Sequence, residues 1–327
     1  MPSTRPKLIV PGLLVVPLLV LTLGNTCATS PERSAELVLP EPRERTFDAR
    51  EADAVRRVIE RRCMVCHACY DAPCQLVLSS REGLARGASK QSVYDSARLR
   101  AATPTRLGLD AHTAEEWREL GFFPVATNGA DRSPSPLLAM LALGAANRFP
   151  PDQPLPEDFP LDRDRELSCP REDELEAYVR DHPQGGMPYG MARLSDEEYR
   201  IIADWAVSGA PTRPPPPLPA DLAAEVGAWE ELLNDSALEA RVAARYAYEH
   251  WAFAHFYFAS HPDGPFFEVV RSRTPSPEPP DVIATRFPYD DPGVDRFWYR
   301  LRRIDGVILH KTHIAYRLGP ERLARYR

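Results

Sequence analysis

Cys63-Met64-Val65-Cys66-His67 forms a C-x-x-C-H run, and no other stretch restricts so tightly what this chain can fold into. Two thiols three residues apart with a histidine directly after them match the attachment signature of c-type haem. In that chemistry the thiols bond to the vinyl groups and the histidine becomes an axial iron ligand. A chain with such a cargo must fold around a flat macrocycle. The competing use of these residues is zinc, whose tetrahedral sites need four ligands, usually as two spaced pairs. Cys66 to Cys69 repeats the C-x-x-C spacing but shares Cys66 with the first pair, and no separate C-x-x-C and no H-x-x-x-H pair occurs in the sequence. Upstream, Asp48-x-x-Glu51 is a helix-opening pattern, and Val55, Val58, Ile59 and Arg62 follow at three- and four-residue spacing, so a helix is expected to run into the motif. It would place Cys63, Cys66 and His67 on one face.

Haem c is assembled outside the cytoplasm, and the N-terminus reads accordingly. Arg5 and Lys7 precede the apolar run Leu8 to Gly24, and small residues follow near Thr26, Cys27 and Ala28; residues 1–30 are expected to be a signal peptide and the location the periplasm. A retained anchor is the alternative, although Pro11 and Pro17 interrupt a run barely long enough to span a bilayer; lipidation at Cys27 is another. With 327 residues, 43% of them hydrophobic, the chain has length for two domains. A net charge of -7 argues against nucleic acid and against electrostatic docking on anionic lipid, so any membrane contact is expected to be apolar. Besides Cys27 and the motif pair there remain Cys69, Cys74 and Cys169, which imply one disulfide and one leftover thiol. The pairing is not readable.

Further along, Thr113-Ala114-Glu115-Glu116 opens a short helix, Ser135-Pro136 starts another, and Pro170 to Asp181 reads as a third. Gly185-Gly186-Met187-Pro188-Tyr189-Gly190-Met191 then precedes a helix capped by Ser195 and Glu198. A capped helix after a Gly-Met-Pro loop resembles the cytochrome c arrangement, whose loop methionine is the second axial ligand. Met187 is the candidate for that role, with Met191 as the alternative and a gap-filling methionine as the structural one. His67 and Met187 stand 120 residues apart, which implies a large insertion over the cofactor. The proline run Pro214 to Pro217 marks a boundary. Beyond it, helices are expected over 221–233 and 236–260, the second rich in aromatic residues and carrying His250 and His255. Strands follow over 266–271, 295–304 and 307–316, the last two joined as a hairpin through Asp305-Gly306. A just-started helix follows at 319–323, so the chain reads as unfinished after Arg327. The fold expected is therefore mainly α: a cytochrome c-like helical domain with a large insertion over 31–212, then a smaller α+β segment with a β-hairpin over 213–327.

Several of these pieces occur in an order that resembles the bacterial fatty acid cis/trans isomerases: Arg62 to Leu76, including Cys69-Tyr70-Asp71-Ala72-Pro73-Cys74; Arg86 to Lys90; Pro104 to Leu107; Trp117 with Gly121 to Val125; Gly186 to Gly190; Tyr248 to His250; Arg271 to Pro275; Pro288 to Gly293; and Lys311-Thr312-His313. The resemblance implies a periplasmic enzyme with one covalent haem c that converts cis double bonds of unsaturated fatty acids from membrane lipids to trans, without bond migration or nucleotide cofactor. It also implies a longer protein, with the remainder after Arg327.

On that reading the iron withdraws electron density from the alkene, and either Met187 is labile or a side-chain radical at Tyr189 mediates. Phe122, Phe123, Leu137, Met140 and Leu141 would form an acyl groove. Arg106, Arg271, Lys311 and His313 are candidates to anchor a carboxylate or lipid phosphate. The rival expectation is a periplasmic mono-haem cytochrome that only transfers electrons.

Overall fold

The computed structural model describes residues 39–69, 72–93, 102–103, 105–126, 135–146, 153–161, 167–252, 254–304, 306 and 314–327. Leu39–Arg327 form one compact unit. The expected signal segment, together with Lys311 and His313, lies outside the described residues.

The first helix, α1 (Ala49–Arg62), opens where its sequence predicts: Asp48 and Glu51 form a reciprocal capping box, and Val55 and Val58 are buried. Short helices α2 (Arg81–Arg86) and α3 (Ala114–Glu119) follow, the latter capped by Thr113 and Glu116. Next come α4 (Pro136–Ala146), α5 (Leu175–Asp181) and α6 (Asp196–Val207), the last with its Ser195–Glu198 box in place. α1 packs on α6, which packs on α4. After the proline run, α7 (Ala220–Leu233) and α8 (Leu238–Trp251) lead into strands β1 (Ala254–Phe258), β2 (Phe267–Ser272), β3 (Trp298–Arg303) and β4 (Ile314–Leu318), and α9 (Pro320–Tyr326) closes the order.

The strands form one mixed sheet in the order β3-β2-β1-β4, antiparallel between β1 and β2 and between β2 and β3, parallel between β1 and β4. Two expectations are corrected here. The helix expected over 236–260 stops at Trp251, and the aromatic run continues as β1, with Phe256 paired to Phe267. The pairing expected across Asp305-Gly306 is not found among the described residues either: Asp305 and 307–313 lie outside them, β3 and β4 lie at opposite edges of the sheet, and Ile314 to Leu318 pair with Ala254 to Phe258. Among the described residues 39% are helical and 10% lie in strands of this mixed sheet, so the chain is not mainly α, and no cytochrome c fold emerges.

The largest core joins α7, α8 and the sheet. Leu222, Val226 and Trp229 of α7 and Tyr248 of α8 pack on Phe256, Phe258, Phe267 and Leu301. Alternation of buried and half-buried positions along β1 turns Ala254, Phe256 and Phe258 to one face. Polar ties cross the proline run: Arg303 donates to the Pro216 carbonyl at 2.6 Å, and Arg302 to the Gly108 carbonyl at 2.8 Å.

Candidate active site

α1 ends at Arg62, whose guanidinium donates to the carbonyls of Ala192 and Arg193 at 2.6 and 2.9 Å. That bond ties the start of the C-x-x-C-H run to the end of the Met187 loop, 130 residues away in sequence. The loop is also fastened to α4. Met187 N–H donates to the Met140 carbonyl at 2.8 Å. The approach is so close that a Cβ on Gly186 would stand 2.0 Å from Gly144 N, and one on Gly144 2.0 Å from the Met187 carbonyl oxygen. Only glycine fits at both places.

These ties bring Cys63, Cys66, His67, Met187, Tyr189 and Met191 around one cavity, whose other walls are largely apolar: Leu76, Leu78, Phe123, Val125, Leu137, Met140 and Leu141. His67 is buried, and its Nδ1 stands 3.2 Å from the Leu76 carbonyl. As a donor to that oxygen, Nδ1 leaves Nε2 as the nitrogen with a lone pair to offer. Burial lowers the His67 pKa, against the raising effect of that bond, a direction that favours the neutral ring over the protonated one. Burial also pushes the Cys63 thiol up to about 11. A protonated thiol of that kind is unlike the acidic cysteine of a redox-active C-x-x-C pair.

The donor set fits haem c better than zinc. Both motif cysteines stand outside any disulfide, a histidine has one nitrogen to give, and three methionines, Met140, Met187 and Met191, line the same apolar space. Among the described residues no three His, Cys, Asp or Glu side chains converge on a point that could hold a metal ion. A tetrahedral ion requires such convergence, and a macrocycle, which spreads its attachments, does not.

The wall carries a disulfide, Cys74–Cys169, linking residues 95 apart, with Cys69 outside it. This settles the pairing that the sequence left open. Tyr189 donates its hydroxyl to the Pro160 carbonyl at 2.8 Å and packs on Phe159 with ring centroids 5.0 Å apart.

The proposed anchors lie elsewhere. Arg106 lines a second cavity beside the motif, where Ala68, Val77 and Ser79 turn away from the first; it pairs with Asp110 at 2.7 Å and donates to the Thr285 carbonyl at 2.5 Å. Arg271 is buried, donates to Thr285 Oγ1 at 2.6 Å and to the Asp290 carbonyl at 2.7 Å, and lies over the Tyr248 ring. Both arginines thus hold the loop around Thr285. His250 stacks on Tyr246 at 3.9 Å on the outside of α8. Sequence reasoning missed Gln75 and Arg86, which are buried beside the motif. No local signal set them apart, since Arg81, Glu82 and Lys90 are charged residues of the same stretch.

A family model for fatty acid cis/trans isomerase matches residues 102–327. The chain belongs to the fatty acid cis/trans isomerase family. It is an enzyme that isomerises double bonds of unsaturated fatty acids. The matched residues supply Met187, Tyr189 and the α4 wall of the cavity, and the C-x-x-C-H run lies ahead of them. No curated protein and no solved structure matches the chain.

Proposed function

We propose that this isomerase works with one covalent haem c, held by Cys63 and Cys66 through thioethers and by His67 Nε2, and that it acts in the periplasm on acyl chains of membrane lipids without nucleotide cofactor or bond migration. The observation that carries the reading is the meeting of Cys63, Cys66, His67 and Met187 on one apolar cavity from segments more than a hundred residues apart. Bound there, haem supplies an iron that draws electron density from the alkene and so weakens its resistance to rotation.

The protein's own part is to hold and to shield. Leu76, Leu78, Val125, Leu137 and Leu141 accept an acyl chain and exclude water, burying apolar surface at about 25 cal/mol per Å². His67 keeps its ring fixed through Nδ1. Met187 is anchored by its backbone N–H on the Met140 carbonyl, which would keep the loop in place and present its side chain to the cavity as a further residue able to hold the haem. Contact with a membrane is apolar, in keeping with the net charge of -7. An oxidising compartment accords with the Cys74–Cys169 bond.

The test is the chain exported from a host that matures c-type haem, supplied with a cis-unsaturated fatty acid and followed by gas chromatography. Trans product without an added electron donor is expected, and Met187→Ala is expected to change both the visible spectrum and turnover. Rapid electron exchange with no trans product would sink the reading, and an unaltered Met187→Ala enzyme would remove Met187 from it.

A further inference from the structure

Cys74 and Gln75 carry φ values of 58° and 50°, two consecutive non-glycine residues in the left-handed region. Each is held there at a cost of about 1 kcal/mol or more, and such strain persists only where the surroundings over-determine it. The next residue is Leu76, whose carbonyl faces His67 Nδ1. The restraints on this turn come from four separate segments. Cys74 is bonded to Cys169, and its carbonyl accepts from Ser89 N–H at 2.8 Å. The Gln75 amide donates to the Gln91 carbonyl at 3.0 Å and accepts from Thr105 Oγ1 at 3.1 Å. Arg86 closes the ring, donating Nη2 to the Gln75 carbonyl and Nη1 to Thr105 Oγ1, the latter at 2.9 Å.

Arg86 is an expensive choice for that place. It is fully buried, its hydrogen-bond partners among the described residues are neutral oxygens of Gln75 and Thr105, and its guanidinium lies over the Phe122 and Trp117 rings at 4.9 and 5.6 Å. Burial lowers its pKa to about 10. A buried cation without a carboxylate costs stability, and an apolar side chain of similar volume would avoid that cost. What an apolar side chain lacks is a planar fork that reaches acceptors on two segments at once.

We propose that Arg86 is a positioning residue for His67: by pinning the Gln75 carbonyl to Thr105 it fixes the strained turn, aims the Leu76 carbonyl at Nδ1, and leaves Nε2 as the nitrogen presented for ligation. The haem reading enters only in what Nε2 binds; the aim of Nδ1 is a property of the polypeptide.

The test uses the full chain produced without haem attachment and labelled with ¹⁵N-histidine, at a pH where the imidazole is neutral. The His67 signals are identified by their loss in His67→Gln. Wild type is expected to show the Nδ1–H tautomer. Arg86→Met is expected to raise the Nε2–H form about fivefold or more, the effect of one lost hydrogen bond, and Arg86→Lys, which still donates to Gln75, to restore most of it. An Arg86→Met chain with the wild-type tautomer, or a wild type already in the Nε2–H form, would overturn the assignment. If Arg86→Met does not fold, Thr105→Val is read in its place: a smaller shift in the same direction supports the assignment and an unchanged tautomer overturns it. Covalent haem content, measured separately on matured wild type, keeps the two readings apart, because its absence would count against haem and leave the tautomer result standing.

Discussion

Around Cys63, His67 and Met187 the chain is held by a few specific ties, whereas the sheet is held against α7 and α8 by apolar area. The first region contains a disulfide, a pair of glycines in near backbone contact, a strained turn and a buried arginine. The second contains Trp229, Phe256, Phe258 and Phe267, nearly all of whose surface is buried. A packed core tolerates exchange of one apolar residue for another of like volume. On the function proposed above, a cavity that receives a cofactor and an acyl chain cannot fill itself with side chains, and its walls would then be fixed by covalent and polar means instead.

The largest expected effect that would break this comparison is removal of the disulfide. Cys169→Ser opens a tie across 95 residues, which in the chain-entropy view costs about 4 to 5 kcal/mol, read from denaturant unfolding under non-reducing conditions; a loss below about 1 kcal/mol would show that the cavity wall stands without it. Next is Phe256→Ala in the sheet core, expected to cost about 3 to 5 kcal/mol in the same assay while leaving the His67 tautomer unchanged. A change at His67 would mean the two regions are one mechanical unit. Gly186→Ala places a Cβ 2.0 Å from Gly144 N and is expected to cost about 1 to 3 kcal/mol. Its sharper readout is displacement of the Met187 sulfur, seen as an altered haem spectrum in matured protein.

The smallest effect is acidification. The Glu116 carboxylate accepts from the backbone N–H of His112 and Thr113, which hold its pKa below the usual range. Its folded pKa lies below its unfolded one, so its contribution is complete above the unfolded value of about 4.3 and is lost as pH falls through the folded value. Amide exchange in α3 should accelerate over that window, and a flat profile would contradict the capping role.

The helices were legible because their start signals are local. Asp48 with Glu51, Thr113 with Glu116 and Ser195 with Glu198 all cap where their spacing indicates. The end of α8 was not: Tyr246 to Phe258 is one aromatic-rich run, and its change from helical to strand period comes without a glycine or proline. The sheet order was equally hidden, since the parallel pairing of β1 with β4 joins residues 60 apart, whereas Asp305-Gly306 suggests local pairing of the segments that become β3 and β4, at opposite edges of the sheet. At the site, the motif itself and Met187 could be named from spacing. Gln75 and Arg86 could not, because their importance arises from a left-handed turn that no residue type announces; Cys74 and Gln75 occupy it without a glycine.

The central claim is that this polypeptide carries iron porphyrin through Cys63 and Cys66 and isomerises fatty acids by means of it. The most direct measurement is the pyridine haemochrome spectrum of denatured, acid-acetone-extracted protein from a haem c-maturing host, run beside the isomerase assay for wild type and the Cys63→Ala/Cys66→Ala double variant. One haem per chain that survives extraction in wild type, with haem and trans product both lost in the variant, is the predicted result. Trans product from protein that retains no haem after extraction, or from the double variant at the wild-type rate, would contradict it.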